Sequence, residues 1–465
     1  MSNQPSNLTD NTANKIKGGE LTTLAGHRDS VRSVAFDPTG RFVATGSDDK
    51  TAKVWRISQD KDGIKATCVA TLVGHINGVR SVAFDPTGRF VATGSDDKTA
   101  KVWRISPDHT VATCVATLAG HSNYVMSVAF DPTGRFVATG SLDKTAKIWN
   151  VPSDGSDLIQ ARAIVSRRHF FYEASATCVA TLVGHAELVQ SVAFDPTGRF
   201  LATGSFDKTA KVWDISSDGT GTNCVATLVG HTDVVTSVAF DPTGCFVATG
   251  SWDKTAKIWD ISSDGTGTTC VATLEGHDRI VTSVTFHPSA PYFATGSWDK
   301  TAKLWKLTSK GNERYVECVS TLKHDTYVNS VAFDPTGRFL VTGCYDNTAR
   351  LWDCHLLLPS ERLKLLAMGQ SVIEGLVTDN PHLDERRKMS RSLTEHILPP
   401  GPSQKWTDPP SFNKDKIEVN REVKTKHIKE APVTMEEVNG GRMSRRKHKR
   451  ISRKYKKRAL RRSRK

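Results

Sequence analysis

The side chains best suited to chemistry recur at fixed intervals. Histidines stand at positions 27, 75, 121, 185, 231, 277 and 324, and tryptophans at 55, 103, 149, 213, 259, 305 and 352. Each tryptophan follows its histidine by 28 residues. His27-Arg28-Asp29 copies the triplet of a protein-kinase catalytic loop, whose Asp takes a hydroxyl proton. That loop also needs Asn five residues beyond the Asp, and here the position holds Val34. No glycine-rich loop ends in Lys-Ser or Lys-Thr to cradle phosphate; Gly265-Thr266-Gly267 reads as a linker between strands. There are nine cysteines but no Cys-x-x-Cys pair, so neither zinc nor any other metal or cofactor is expected.

The elements that would position these residues come from an internal repeat. The string SVAFDPTGRFVATGSDDKTAKVW begins at Ser33 and again at Ser81. Altered copies begin at Ser127, Ser191, Ser237, Ser283 and Ser330. The gaps from each tryptophan to the next histidine are 20, 18, 36, 18, 18 and 19, so length varies in one connection per unit. Within the first unit, Val31–Phe36 reads as a strand and Asp37-Pro38-Thr39-Gly40 as a turn, with Pro presetting φ. Arg41–Ser47, Thr51–Ile57 and Cys68–Leu72 follow as further strands. Four antiparallel strands per unit, seven times over, predict an all-β fold, a seven-bladed β-propeller. Leu21–Leu24 has the fourth-strand pattern and precedes the first histidine, while the last unit stops at Cys354 after its third strand. Leu21–Leu24 is therefore expected to complete the last blade and remove its open edge.

Gly26-His27, Asp49 and Trp55, repeated at fixed spacing over residues 21–354, resemble the WD40 repeat family. At the end of the third strand the dipeptide Trp-Asp survives only at Trp213-Asp214, Trp259-Asp260 and Trp352-Asp353. The sixth unit has His287-Pro288-Ser289-Ala290 in place of the turn, and the seventh has Lys323-His324 in place of Gly-His. The resemblance implies one hydrogen-bonded set per blade: His27/Thr45/Asp49/Trp55, His75/Thr93/Asp97/Trp103, His121/Thr139/Asp143/Trp149 and His185/Thr203/Asp207/Trp213. The remaining sets would be His231/Thr249/Asp253/Trp259, His277/Thr295/Asp299/Trp305 and His324/Thr342/Asp346/Trp352. A histidine, hydroxyl and carboxylate together also suggest a catalytic triad. Sevenfold occurrence, with the hydroxyl on a buried strand, fits a scaffold instead, and no enzyme activity is expected.

Cys68, Cys114, Cys178, Cys224, Cys270 and Cys318 share one repeat position, on the outer strand of each blade. Neighbouring copies would lie beyond the roughly 7 Å Cα limit for a disulfide, so free thiols and a reducing, intracellular compartment are expected.

In the family, the four-to-one loops and two-to-three turns share the top face. The residue before each turn Asp lies there: Asp48, Asp96, Leu142, Phe206, Trp252, Trp298 and Tyr345. With Tyr124 and Tyr327 they form an aromatic crescent opposite an acidic sector, and Arg32 and Arg80 sit near the start of the innermost strand. Such a face suits a basic or extended peptide of a partner protein; the competing reading is that the aromatics only cover neighbouring blades. The 36-residue gap before His185 carries an insertion over residues 152–177, with Arg167-Arg168-His169-Phe170-Phe171-Tyr172. It reads equally as a docking element or a tolerated insertion on the opposite face.

Charge is concentrated at one end. Residues 1–355 hold 35 basic and 36 acidic side chains; residues 356–465 hold 28 and 13. Residues 1–20 read as a disordered lead and 356–441 as a linker with a possible short helix over Leu356–Val377. Residues 442–465 contain Arg445, Arg446, Lys447, Lys449, Arg450, Arg453, Lys454, Lys456, Lys457 and Arg458, with no carboxylate. This tail repels itself and is expected to be disordered when free. It suits RNA or DNA backbone, or a nuclear or nucleolar address; an acidic protein, an anionic membrane surface and a solubilising role in the cytoplasm stay open. No apolar run is long enough to span a membrane. The expectation is thus a non-catalytic scaffold. A rival is the substrate receptor of a ubiquitin ligase, for which some family members carry Trp-Asp-x-Arg. Here the fourth residue is Ser216, Ser262 or His355.

Overall fold

In the computed structural model, residues 19–354 are described apart from 62, 152–163, 167–168, 172–175, 263 and 311–312. Residues 1–18 of the expected lead, the linker and the basic tail lie outside the described residues, as does most of the insertion. The lead ends earlier than expected, because Glu20 already belongs to the closing strand and Gly19 accepts the Asp353 amide.

Seven four-stranded antiparallel sheets form the blades. Blade 1 runs from the innermost strand outward as Val31–Phe36, Phe42–Ser47, Thr51–Asp60 and Gly63–Val73. Blade 7 comprises Val328–Phe333, Phe339–Cys344, Thr348–Asp353 and, as its outer strand, Glu20–Ala25 from the start of the chain. The N-terminal segment thus closes the ring, with Leu24 opposite Ala349 and Thr22 opposite Leu351. The third and fourth strands of blade 1 run longer than their apolar cores suggest, because the variable connection zips into a hairpin, Asp60 opposite Gly63. Blade 6 does the same with Thr301–Lys310 and Glu313–Lys323. Inside the insertion, Ile164–Ser166 pairs with His169–Phe171.

The second strand of each blade explains the core. It lies between the first and third strands, and neighbouring blades cover both its faces, so Phe42–Ser47 is buried at every position. Such strands carry FVATGS rather than an alternating pattern. Gly46 is small because a Cβ there would come within 2.9 Å of Val79 and Val82 in the next blade. The turn after the first strand is held by Asp37, whose carboxylate accepts the Phe42 amide at 2.7 Å and the Thr39 amide at 3.1 Å. Gly40 adopts φ +70°, the left-handed region open to glycine.

Serine hydroxyls join the innermost strands. Ser33 accepts the amide of Val82, Ser81 that of Val128, and so on blade by blade, at 3.0–3.1 Å. Ser330 accepts the amide of Val34, which returns the series to blade 1.

Leu24 is 1% exposed and packs with Val31, Val341 and Leu351, so it anchors the closing strand. Leu24→Ala should lower unfolding stability by about 2–5 kcal/mol, whereas Thr23→Ala on the exposed side should stay within about 0.5 kcal/mol. Urea unfolding followed by tryptophan fluorescence reads the difference.

Candidate functional site

The histidine sets and the top face are built from the same loops. In blade 1, His27 Nδ1 lies 2.8 Å from Asp49 and Nε2 2.7 Å from Thr45 Oγ1; Trp55 Nε1 donates to that hydroxyl at 2.8 Å. The indole can only donate and the carboxylate can only accept, which sets the direction of the series. Trp55 N–H donates to Thr45, the Thr45 hydroxyl donates to Nε2, and Nδ1–H donates to Asp49.

Blades 2 to 6 repeat this set in full. Nδ1 of His75, His121, His185, His231 and His277 lies 2.6–2.7 Å from Asp97, Asp143, Asp207, Asp253 and Asp299 respectively. Nε2 of the same rings lies 2.7 Å from the hydroxyls of Thr93, Thr139, Thr203, Thr249 and Thr295. Those hydroxyls accept the indole N–H of Trp103, Trp149, Trp213, Trp259 and Trp305 at 2.8–2.9 Å. Burial favours the neutral imidazole and outweighs the pull of the aspartate, so the pKa values of His27, His75, His121 and His185 are lowered. Burial opposes the charge of Asp49, but hydrogen bonds from Thr51, the Arg28 amide and His27 outweigh it and bring its pKa to about 2.

The imidazoles, hydroxyls and indoles of these sets are buried inside the blades, while the aspartates lie half-buried at the turns, with Asp346 exposed. Thr45, Thr93, Thr139, Thr203, Thr249, Thr295 and Thr342 are fully buried, so their hydroxyls have no route to a substrate. Trp149 and Trp305, like the other five indoles of the sets, are buried too and pack in the core between blades.

The seventh set departs from the expectation. His324 Nε2 meets Thr342 at 2.9 Å and Trp352 donates to Thr342 at 3.0 Å, but Nδ1 donates to the Leu322 carbonyl at 3.2 Å instead of to Asp346. Asp346 accepts from Arg350 at 2.8 Å. Blade 7 has one residue between Leu322 and His324 where the other blades have two, as in Leu72-Val73-Gly74-His75. The shorter connection draws the ring toward the outer strand, and its centroid lies 5.0 Å from that of Trp352, against 6.1–6.4 Å in the other blades. Burial and the nearby Arg350 charge lower the His324 pKa to about 4.

On the top face, the residue before each turn Asp is tied to the preceding loop. The amides of Asp48, Asp96, Leu142, Phe206, Trp252, Trp298 and Tyr345 donate to the carbonyls of Ser30, Gly78, Tyr124, Leu188, Val234, Ile280 and Tyr327 at 2.9–3.1 Å. Trp298 stacks on Tyr327 with centroids 5.6 Å apart, and Tyr327 meets Tyr345 at 5.8 Å. The Arg32 guanidinium lies 5.7 Å from the Tyr345 ring centre. Phe206 and Trp252 form a separate edge-to-face pair at 5.5 Å. Tyr124, Trp252 and Tyr345 stay 40%, 38% and 52% exposed.

The acidic sector is not open. Arg32 Nε donates to Asp48 at 2.7 Å. Arg80 grips Asp96 with two bonds, at 2.8 and 2.6 Å, and its third nitrogen lies 3.3 Å from Asp48. The arginines thus neutralise the aspartates, and the aromatic crescent runs into a paired polar segment instead of facing free negative charge. Only blades 1 and 2 carry Arg and Asp together at these two repeat positions, a coincidence that signals the pairing.

Seven four-stranded blades, each with a histidine–threonine–tryptophan core, define a β-propeller of the repeat type. The family model described as WD domain, G-beta repeat matches residues 18–56, 66–104, 112–150, 176–214, 222–260, 268–306 and 316–353. The chain belongs to this family. It is similar to the ribosome biogenesis protein ERB1 of Eremothecium gossypii, 46% identical over 48 residues, which are 10% of this chain and 6% of that protein. It is 30% identical over 199 residues to the nuclear distribution protein PAC1 of Arthroderma benhamiae, covering 43% of this chain and 32% of that one. Protein HIR1 of Mycosarcoma maydis shares 55% over 38 residues, 8% of this chain and 4% of its own. The matches thus span a third or less of these relatives. Among the described residues, no helix is long and apolar enough to cross a membrane.

Two outcomes test the histidine sets. Thr93→Val keeps the shape but leaves His75 Nε2 and the Trp103 N–H without a partner, at about 1–3 kcal/mol for each orphaned group; urea unfolding measures the loss. The second concerns pH. Histidines with lowered pKa bind protons in the unfolded chain first, so their contribution is complete above about pH 6.5 and falls as pH drops toward their folded values. Stability should decline from about pH 6.5 downward. In NMR titrations His324 should protonate near pH 4.

Proposed function

We propose that the chain is a non-catalytic interaction scaffold whose top face receives an extended segment of a partner protein. The observation that carries this reading is the contact series from Trp298 through Tyr327 and Tyr345 to Arg32, most open to solvent at Tyr345. Aromatic rings and arginine dominate binding hot spots because they offer large rigid contact area with a polar edge. The arginines are held in place by Asp48 and Asp96, so little side-chain freedom is lost when a partner arrives. The pairing also shifts the preference: an extended segment with apolar and backbone contacts fits better than one selected for positive charge alone.

The basic tail of residues 442–465 supplies the second half of the proposal. It brings the propeller to RNA or DNA, or to the nucleus or nucleolus, through phosphate contacts or import recognition. The similarity to ERB1, a ribosome biogenesis protein, supports an assembly rich in nucleic acid.

A capture experiment tests both halves. The full chain, the Trp252→Ala/Trp298→Ala variant and a chain ending at His355 are compared for recovered proteins and nucleic acid. The aromatic variant should lose protein partners at least tenfold while keeping nucleic acid; the shortened chain should do the reverse. If about ten tail charges meet phosphates, nucleic-acid affinity should drop on the order of 10³–10⁵-fold between 50 and 200 mM salt. Undiminished protein recovery by the aromatic variant would return those rings to a packing role.

A further inference from the structure

Blade 7 lacks three devices that brace the other six. In blades 1 to 6 a serine at the end of the second strand clamps the top turn. Ser47, for example, donates to the Asp29 carbonyl at 2.8 Å and accepts the Asp49 amide at 3.1 Å. The same pair of bonds recurs at Ser95, Ser141, Ser205, Ser251 and Ser297. Blade 7 has Cys344, a weak acceptor, and its sulfur contacts lie within its own strand, to Thr342 at 3.9 Å. The histidine–aspartate bond is also absent, because the connection before His324 is a residue short and Asp346 has gone to Arg350. Finally, glycine backs onto the indole in the other blades. A Cβ at Gly26, Gly74, Gly120, Gly184, Gly230 or Gly276 would lie 3.0–3.7 Å from the ring edge, and here the residue before His324 is Lys323.

The same blade takes its outer strand from the other end of the chain. Glu20–Ala25 pairs with Thr348–Asp353, more than 300 residues away in the chain. Its hold rests on a short ladder and two leucines. The register shifts between Glu20 and Thr22, and this bulge turns Leu21 and Leu24 toward one apolar cluster although they are three apart. In a regular strand, residues three apart face opposite sides. If the strand leaves, Thr348–Asp353 becomes an edge with unpaired amides and carbonyls beside the leucine sites.

We propose that the ring opens at blade 7, and that its third strand is an exchangeable acceptor for an extended segment of a partner with aliphatic residues three apart. The segment adds to the sheet edge by backbone hydrogen bonds and fills the sites of Leu21 and Leu24, the general mode of strand addition. This site lies on the closing edge and is independent of the aromatic top face.

Hydrogen exchange and a peptide probe on the full chain test it. Amides of Glu20–Ala25 and Thr348–Asp353 should exchange at least tenfold faster than those of Thr99–Ile105 and Ala112–Ala119 in blade 2. A fluorescent peptide copying residues 17–26 should be taken up with a rate that follows this opening, and the same peptide with Leu21→Asp and Leu24→Asp should not. Cys344→Ser combined with a glycine inserted after Lys323 restores the pattern of the other blades and should slow both processes several-fold. Equal protection of the two blades would overturn the opening. Rapid exchange without peptide uptake, or equal uptake of both peptides, would overturn the acceptor role, and these two arms use only the natural chain.

Discussion

A ring of sheets is held by its closure. Each innermost strand passes one amide to a serine hydroxyl of the blade before it, and the series is complete only because Ser330 reaches Val34 across the gap between the ends. The valines that crowd Gly46 have their counterparts at the seam, where Val31 and Val34 crowd Gly343. A two-faced sheet with no neighbour would expose a second strand that is buried at every position. The six-residue segment Glu20–Ala25 therefore decides more than its area suggests, since it links the two ends within one sheet.

Most of this architecture was legible in the residues. Fixed His-to-Trp spacing located the strands, and the Leu-Thr-Thr-Leu lead announced the closing strand because it copied a fourth-strand pattern out of place. The Asp-Pro-Thr-Gly turn was readable from the conformations its residues allow. What escaped depended on length rather than type. The hairpins of blades 1 and 6 extend past their apolar cores, since backbone pairing does not require apolar side chains. The seventh histidine set kept all four residue types, yet a single missing residue before His324 redirected the imidazole.

The top face teaches a related lesson about charge. Two aspartates at adjacent blades looked like an acidic sector when read as a column of residues. Arg32 and Arg80, sixteen positions earlier in the same units, fold back onto them. Bidentate pairing braces Arg80 on Asp96, and Arg32, held by Asp48, lies against the Tyr345 ring, so the aromatic series ends on a paired polar segment. A partner meets shape and aromatic surface first. The histidine sets below hold the loops in place without meeting it, as their buried threonines require.

The closing pair also fixes how the molecule responds to pulling. Glu20 lies opposite Trp352, and the amide of Asp353 donates to the Gly19 carbonyl, so the chain enters and leaves the ring at the same end of one ladder. Tension between the flanking segments then acts across the hydrogen bonds one at a time, as in a zipper, instead of shearing the whole ladder at once. A tether fixed at both flanks would part this seam at low force and leave the other six sheets intact.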